Sequence, residues 1–259
     1  MKKLLFLLTS CILFNSMLAQ DDSSYQKRVF QDSQSEAKLN YRLLTPSSEE
    51  GKLYPLVLFL HGAGERGDDN KAQLMHVTHR FSDSSFQAAH PSFVIAPQCP
   101  KESYWPSGTF AKAWGKFTPS DTLNTEMQLI MELLAEAQQK YPVDPNRIYI
   151  AGLSMGGFGT WDFLRRFPNY FAAGIPVCGG GYAADAERFA QVPIWAFHGV
   201  DDNVVPASMS REMIEALQAA GGNPSFTEFP GVGHGSWNPA FPAYTESPFI
   251  YDWLFSQHR

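Results

Sequence analysis

The sequence is poor in cysteine and in charge, and it contains no long basic run. Its 259 residues include 3 cysteines, and charged residues make up 18% of the chain. The net charge is −6 at pH 7, and no cluster of Lys or Arg offers a face for phosphate groups. We therefore expect no nucleic-acid partner. The cysteine spacing fits neither a zinc motif nor a redox motif, so the sequence gives no support for a metal site.

The first 19 residues differ in composition from the rest. Two lysines precede an apolar run from Leu4 to Leu18, and Ala19 then leads into a polar stretch. This order of basic, apolar and small residues predicts a cleaved signal peptide over residues 1–19 and a secreted or periplasmic protein. The run is shorter than the ~20 residues of a typical spanning helix, so we expect no stable membrane insertion. A lipoprotein anchored through Cys11 and a retained anchor are the alternatives, and we favour the cleaved, soluble form.

Residues 20–259 carry no repeat or linker and are interpreted as a single catalytic domain. Apolar runs predict strands at 54–60, 92–97, 147–152, 172–178 and 193–199, with further strands at 26–30, 38–44 and 225–230. Helices are predicted at 122–141, 155–167, 206–220 and 248–258. This alternation predicts an α/β fold with a mostly parallel eight-stranded sheet and helices on both faces. Catalytic groups in such sheets lie on loops at the C-terminal ends of the strands.

The strand at 147–152 runs directly into Gly152-Leu153-Ser154-Met155-Gly156, and a helix follows. The pattern G-x-S-x-G between a strand and a helix is typical of a serine nucleophile whose hydroxyl projects above the sheet. The Met155 N–H, at the start of the helix, can donate to an oxyanion. Ser154 is therefore the predicted nucleophile. A Gly-rich turn with an incidental serine is the alternative.

A serine nucleophile needs a base, and in this type of sheet an acid and then a histidine follow it along the chain. His234 is the candidate base because it lies in a Gly-flanked loop after the last strand, whereas His258 is the penultimate residue. Asp201 and Asp202 both follow the strand at 193–199. The segment HGVDDNVVP fits H-G-x-x-D-x-x-V-P, which selects Asp202 as the acid that orients the histidine. Asp201 is then a solvated turn residue.

The loop after the strand at 54–60, HGAGERGDDN, supplies the second predicted oxyanion donor. Ala63 N–H is the candidate, because the glycines on either side of it let the backbone approach the substrate closely, and Gly64 N–H is the next candidate. His61 is interpreted as a structural residue that bonds to the backbone. Four charged residues follow in this loop, and we expect them to be solvated and paired with one another, with contact of some of them to substrate as the alternative: Glu65, Arg66, Asp68 and Asp69.

Aromatic residues concentrate in the loop 101–120 and beside His234. Trp105 and Trp237 are the candidate wall residues of the substrate site. The other aromatic residues of the loop either line the site or form a small separate core: Tyr104, Phe110, Trp114 and Phe117. Only residues 179–192 separate two of the strands, which is too short for a helical cap over the serine, so we expect an open cleft.

These segments resemble those of a known group of enzymes. LFLHGAGERGDDN, GLSMGGFGTWDFLRRFPNYFAA, FHGVDDNVVP and GVGHGSWNPAF are similar to segments of the secreted α/β-hydrolases of the phospholipase/carboxylesterase-like group. That group is similar to feruloyl-esterase and polyhydroxybutyrate-depolymerase-type enzymes and, more distantly, to the prolyl oligopeptidase catalytic domain. The resemblance implies an α/β-hydrolase fold without a large cap domain, a triad of Ser154, Asp202 and His234, and no metal or organic cofactor.

The same resemblance implies a serine hydrolase that cleaves small-molecule or polymer-linked carboxylic esters through an acyl-enzyme. A serine peptidase with the same triad is the alternative, and a binding protein that keeps the fold without catalysis is a third possibility. The sheet order usual for this superfamily places two strands between Cys99 and Cys178, a separation of roughly 14 Å. A disulfide needs Cα atoms within ~7 Å, so we expect two buried free thiols.

Overall fold

The computed structural model describes residues 24–32, 35–111 and 114–259, so the predicted signal peptide at 1–19 and Cys11 lie outside the described residues. In chain order the strands are β1 Gln26–Gln31, β2 Lys38–Leu44, β3 Tyr54–Leu60, β4 Phe93–Pro97, β5 Gly108–Phe110, β6 Phe117–Pro119, β7 Val143–Leu153, β8 Ala173–Val177, β9 Trp195–Gly199 and β10 Ser225–Phe229. The helices are α1 Thr78–Ser82, α2 Ser84–Ala89, α3 Thr125–Lys140, α4 Met155–Arg166, α5 Ser208–Ala219, α6 Trp237–Ala240 and α7 Phe249–Ser256.

Eight of these strands form one sheet in the order β1-β2-β4-β3-β7-β8-β9-β10. The first two pairings, β1 with β2 and β2 with β4, are antiparallel. All later neighbours are parallel, from β4 and β3 across to β9 and β10. The predicted mostly parallel eight-stranded sheet of an α/β-hydrolase fold is confirmed. Parallel strands direct their C-terminal ends to one edge, which is where the loops with the predicted site residues lie.

The central strand β3 shows why the sheet is covered on both faces. All seven of its residues are buried, as its unbroken apolar sequence YPLVLFL predicts. Side chains alternate along a strand, so Leu58 and Leu60 join one hydrophobic cluster while Val57 and Phe59 join another. Residues of α3, α4 and α5 belong to the first cluster, and residues of α1, α2 and α7 to the second. The sheet therefore lies between two layers of helices.

The loop between β4 and α3 contains the antiparallel hairpin of β5 and β6. Phe117 of this hairpin forms a small cluster with Phe158 of α4 and with Val205, joined by Phe110 and by Trp114, whose ring also packs against the main core. Of the two possibilities that the sequence left open for these three rings, the structure shows the separate core.

Buried polar contacts anchor the same loop to α4. Asp162 Oδ2 accepts a hydrogen bond from Ser107 N–H at 2.8 Å. Arg166 donates to the carbonyl oxygens of Ser107 and Ser120 at 2.9 and 2.7 Å. The side chain of Asp162 is fully buried, so its bond to Ser107 is shielded from water, and the three bonds together tie the base of the hairpin to the helix.

The crossover between β8 and β9 holds one short 3-10 helix, Ala183–Arg188, in agreement with the expected absence of a large cap. Cys99 and Cys178 are free and buried, as predicted. They belong to different hydrophobic clusters on opposite faces of the sheet, with β3 and β7 between their strands. None of the helices within the described ranges is long and apolar enough to cross a membrane.

Candidate active site

Ser154 lies at the junction between β7 and α4 in a strained backbone conformation, with φ 54° and ψ −117°. Such conformations cost of order 1–3 kcal/mol and persist only where the surroundings enforce them. Two glycines make this turn possible. A Cβ on Gly152 would lie 2.3 Å from the carbonyl oxygen of Gly156, and a Cβ on Gly156 would lie 2.0 Å from that of Leu60. The G-x-S-x-G pattern therefore reflects close backbone packing around the predicted nucleophile.

His234 lies between the other two residues of the predicted triad, Ser154 and Asp202. Its Nε2 lies 2.9 Å from Ser154 Oγ, and its Nδ1 lies 2.7 Å from Asp202 Oδ2. The loop that carries His234 packs on the end of β9, where a Cβ on Gly199 would meet the carbonyl oxygen of Gly233 at 2.2 Å. Because this contact needs glycine, the segment FHGVDD brings Asp202 and His234 side by side. Serine, histidine and acid are in the order that a proton transfer from Ser154 requires.

Asp202 is a buried residue, and each of its two carboxylate oxygens faces hydrogen-bond donors. Oδ1 accepts the backbone N–H groups of Val204 and Val205, both at 2.9 Å. Oδ2 faces His234 Nδ1 at 2.7 Å and His198 Nε2 at 3.2 Å. The Asp202 side chain has no exposed surface, so these donors replace water as the partners of its charge. The neighbouring Asp201 is exposed, as the sequence predicted for a turn residue.

His198 is a neighbour of the triad that the sequence did not single out. Its Nε2 faces only acceptors, Val205 O at 2.9 Å and Asp202 Oδ2 at 3.2 Å, so Nε2 carries a proton. Its Nδ1 lies 2.8 Å from Ser210 Oγ. Burial lowers the pKa of His198, while Val205 and Asp202 act in the opposite direction. The available signal was the first residue of H-G-x-x-D, the same motif that identifies Asp202.

Two backbone N–H groups next to the nucleophile are the predicted oxyanion donors. Met155 N–H begins α4, where the first N–H groups of a helix have no intrahelical acceptor. Ala63 N–H follows Gly62, and a Cβ on Gly62 would lie 3.6 Å from Ser154 Cβ. Neither N–H donates to another group within residues 24–32, 35–111 and 114–259. Both are therefore free to receive a developing negative charge.

His61 forms hydrogen bonds to the backbone beside the predicted oxyanion donor Ala63. Cys99 N–H donates to its Nε2 at 3.0 Å, which leaves the proton on Nδ1 to bond Gly62 O at 2.6 Å. Burial is the main cause that lowers the pKa of His61 to about 4, so the ring is neutral at pH 7. The interpretation of His61 as a structural residue is confirmed. Trp105 is placed here too, and not on the wall of the site: it has no exposed surface, and its Nε1 donates to His61 O at 3.0 Å.

Trp237 is half-buried beside the predicted base, with its ring centroid 5.6 Å from that of His234.

Glu65 departs from the expectation of a solvated loop residue, because only 7% of it is exposed. Asp68 and Asp69 in the same loop are exposed. The sequence gave no sign of this difference, since burial in an irregular loop depends on what the folded chain places over it.

Cys178, Asp202 and His234 offer potential metal-ligand atoms within 4.8 Å of one another. The hydrogen bonds already described occupy the Asp202 carboxylate and both nitrogens of His234. Burial raises the pKa of Cys178 to about 12, so its sulfur is a neutral thiol and not the thiolate that binds metals. This arrangement suits proton transfer to and from Ser154 better than metal binding.

Comparisons with known proteins identify the family of this chain. The profile of the family described as Phospholipase/Carboxylesterase matches residues 46–251. The bifunctional acetylxylan esterase/xylanase XynS20E of Neocallimastix patriciarum is 28% identical over 151 residues, which cover 58% of this chain and 20% of that protein. The chain thus spans about a fifth of the length of this relative.

Solved structures show the same fold. A thermostable esterase is 37% identical with a TM-score of 0.83, over 92% of this chain and 64% of that one. Two more distant structures share the fold alone. A ferulic acid esterase is 19% identical with a TM-score of 0.62, over 89% of this chain and 97% of that one. An acylaminoacyl peptidase of Pyrococcus horikoshii is 16% identical with a TM-score of 0.63, over 91% of this chain and 42% of that one.

Proposed function

The chain belongs to the phospholipase/carboxylesterase family of α/β-hydrolases, and we propose that it hydrolyses carboxylic esters through Ser154, His234 and Asp202. The observation that carries this proposal is the 2.9 Å contact between His234 Nε2 and Ser154 Oγ, with Asp202 on the other imidazole nitrogen. A serine hydroxyl becomes a nucleophile only when a base is in position to remove its proton. Asp202 orients that base and stabilises the imidazolium that forms.

The reaction proceeds as an acyl transfer in two halves. Ser154 Oγ attacks the ester carbonyl carbon while its proton passes to His234 Nε2. The tetrahedral intermediate then collapses, the bond to the alcohol oxygen breaks, and His234 returns the proton to that oxygen. In the second half, water gives its proton to His234 and attacks the acyl carbon. The acid is released and the proton returns to Ser154 Oγ.

The negative charge that develops on the carbonyl oxygen needs fixed donors in both halves of the reaction. We assign this role to the N–H groups of Met155 and Ala63. The helix dipole of α4 adds to the donor strength of Met155, because the N-terminal end of a helix carries partial positive charge. Removing one such donor costs about 10²–10³-fold in turnover in well-studied serine hydrolases.

The absence of a large cap supports an open site for esters with bulky or carbohydrate-linked acyl groups, whether free or attached to a polymer. Trp237 beside His234 offers an aromatic surface to such a group. The similarity to an acetylxylan esterase is consistent with carbohydrate-linked esters. A panel of p-nitrophenyl acetate, feruloyl, acetyl-sugar and polyester substrates tests this part of the proposal, and a strict requirement for small, unbranched esters would contradict it.

A serine peptidase is the second candidate, favoured by the shared fold of an acylaminoacyl peptidase. It uses the same three residues but must bind a peptide chain and protonate an amine leaving group. Parallel assays with p-nitrophenyl acetate and a prolyl-peptide substrate distinguish the two. We expect kcat/KM for the ester to be greater by orders of magnitude, and the reverse order would favour the peptidase.

Replacement of the nucleophile tests the mechanism itself. Ser154→Ala should retain the fold and lower turnover by at least ~10³-fold, and it should not be labelled by a fluorophosphonate. Labelling of the wild-type chain also separates an enzyme from a binding protein of the same fold, which would not react. Residual turnover above a tenth of wild type in Ser154→Ala would refute the mechanism.

The N-terminal sequence supports a further part of the proposal, that the mature protein is exported after cleavage. We expect it to begin near Gln20 or Asp21 and to carry no lipid. N-terminal sequencing and mass spectrometry of protein from the native host check this, and a diacylated Cys11 would show the lipoprotein alternative to be correct.

A further inference from the structure

Glu65 is a carboxylate beside the nucleophile that the proposed mechanism does not use. It ends the 3-10 helix Ala63–Glu65, two residues after the predicted oxyanion donor Ala63. A Cβ on Gly62 would meet Glu65 Oε2 at 3.0 Å and Ser154 Cβ at 3.6 Å, so both side chains border the same backbone position. Only 9% of the Glu65 side chain is exposed. A buried carboxylate this close to the reacting centre calls for a partner.

The folded chain supplies only a distant partner, His76, whose Nε2 lies 3.7 Å from Glu65 Oε1 among the described residues. Among the residues that the structure describes, no group donates a hydrogen bond to the Glu65 carboxylate. Its sequence neighbour Arg66 is turned away, since its Nε donates to Ala63 O at 3.0 Å and its Nη1 to Ser103 O at 3.1 Å. The Arg66 guanidinium also lies over the Tyr104 ring, 4.9 Å from its centroid. The cation that would most simply neutralise Glu65 is therefore committed elsewhere.

The surroundings of Glu65 combine polar and aromatic groups. His76 Nε2 lies 3.7 Å from Glu65 Oε1, too far for a hydrogen bond, and a third of the His76 side chain is exposed. The His76 ring centroid lies 5.2 Å from that of Trp237, which in turn lies 5.6 Å from that of His234. A carboxylate, an imidazole and an indole ring thus lie in sequence along one side of the proposed catalytic centre.

We propose that Glu65 binds a hydroxyl group of the substrate and so selects esters of polyhydroxylated, sugar-like compounds. A hydroxyl has one proton to donate and lone pairs to accept with, so it can donate to Glu65 and accept from an N–H at His76 Nε2. An ammonium group can only donate, so it suits the carboxylate but cannot accept from that N–H. The apolar ring face of Trp237 suits the C–H face of a sugar ring. This inference rests on the proposed ester hydrolysis at Ser154 and names its substrate class.

A matched pair of substrates isolates the hydroxyl groups. One is a methyl glucoside acetylated on its primary hydroxyl, and the other is cyclohexylmethyl acetate, which has the same ester on a ring without hydroxyls. In Glu65→Gln we expect kcat/KM for the glucoside to fall about tenfold, because the charge of the acceptor is lost. We expect kcat/KM for cyclohexylmethyl acetate to stay within about twofold, since the predicted triad and oxyanion donors are untouched.

Two controls separate binding from folding. Asp68→Asn removes an exposed carboxylate from the same loop and should leave both substrates unaffected. The thermal midpoint of Glu65→Gln should stay close to that of the wild type, because the ion-pair contact of Glu65 with the partly exposed His76 is long, at 3.7 Å. A fall in the midpoint by more than about 5 °C would show that Glu65 supports the fold instead.

The remaining outcomes also decide the question. Equal losses for both substrates, or no loss for either, would overturn a role in hydroxyl recognition. A selective loss for glycine ethyl ester, with the glucoside unaffected, would show that Glu65 binds an ammonium group. If the wild-type chain hydrolysed no ester at all, including p-nitrophenyl acetate, the proposed function would fail first. That result differs from hydrolysis without discrimination, which overturns the role of Glu65 alone.

Discussion

His198 Nε2 lies 3.2 Å from Asp202 Oδ2, the same oxygen that bonds His234 Nδ1 at 2.7 Å. One oxygen of the predicted catalytic acid thus faces two imidazole rings. The side chains of His198 and Asp202 are both fully buried, so water cannot replace either contact. We interpret His198 as a positioning residue, which fixes the orientation of the Asp202 carboxylate so that Oδ2 faces His234 Nδ1.

Loss of the second imidazole should weaken turnover more than substrate binding. For His198→Ala we expect kcat to fall about tenfold or more, since hydrogen bonds to charged groups contribute roughly 1.5–3 kcal/mol, with KM nearly unchanged. His198→Gln keeps an N–H donor near the Nε2 position and should recover much of the loss. Steady-state kinetics of both variants, with thermal unfolding as a check on folding, test this. Equal losses in the two variants, or a change in KM alone, would indicate a purely structural residue.

The two adjacent aspartates should differ sharply in their effects. Asp202→Asn should lower kcat by orders of magnitude, because an amide cannot hold the required tautomer of His234 or stabilise the imidazolium. Asp201→Asn changes an exposed turn residue and should leave kcat within about twofold. The two substitutions are chemically identical and one residue apart, so each serves as the control for the other. The opposite order of effects would move the acid to Asp201.

Stability should decrease in mildly acidic solution because of His61. Its pKa is about 4 in the folded chain against 6.5 for a free histidine, so the unfolded chain binds the proton more readily. The stability contribution of the neutral ring is complete above pH 6.5, falls as the pH drops toward 4, and levels off below that value. Between these two limits, His61 changes the free energy of unfolding by about 3 kcal/mol. Chemical denaturation at pH 7 and at pH 5 measures it, and a rise in stability toward pH 5 would show that other groups dominate.

The rate of hydrolysis should rise smoothly with the concentration of tributyrin through its solubility limit. The crossover at 179–192 holds only the 3-10 helix Ala183–Arg188, and the aromatic hairpin loop is tied to α4 through Asp162 and Arg166. Neither segment is therefore built to open at an oil–water interface. A sharp increase in rate when the emulsion forms would contradict this and would identify the hairpin loop as a lid.

Much of the fold could be predicted because the local sequence pattern of each element matches the place that the element takes in the folded chain. The unbroken apolar run of β3 requires burial on both faces, and the glycines around Ser154 permit a single type of turn. Asp202 and His234 could be paired because chain order and strand ends restrict the choice. The position of Trp105 could not be predicted, since an aromatic residue in a long loop has the same sequence signal whether it lines a cleft or fills the core.

Glu65 and His198 show where such prediction ends. Glu65 is one of three acidic residues within five positions, and only the path of the loop determines that it is buried while Asp68 and Asp69 are exposed. His198 lies within β9 and contacts Asp202 four residues later because the chain turns back at Gly199. Both cases depend on the packing of irregular segments, which periodicity of hydrophobic residues does not encode.

The placement of Cys99 and Cys178 on opposite faces of the sheet excludes a disulfide between them in the folded domain. The two thiols cannot reach each other in the native state, and burial raises the pKa of both, so little thiolate is present to react with disulfides or alkylating reagents. An oxidising compartment and a reducing one should therefore give the same folded domain for residues 24–259.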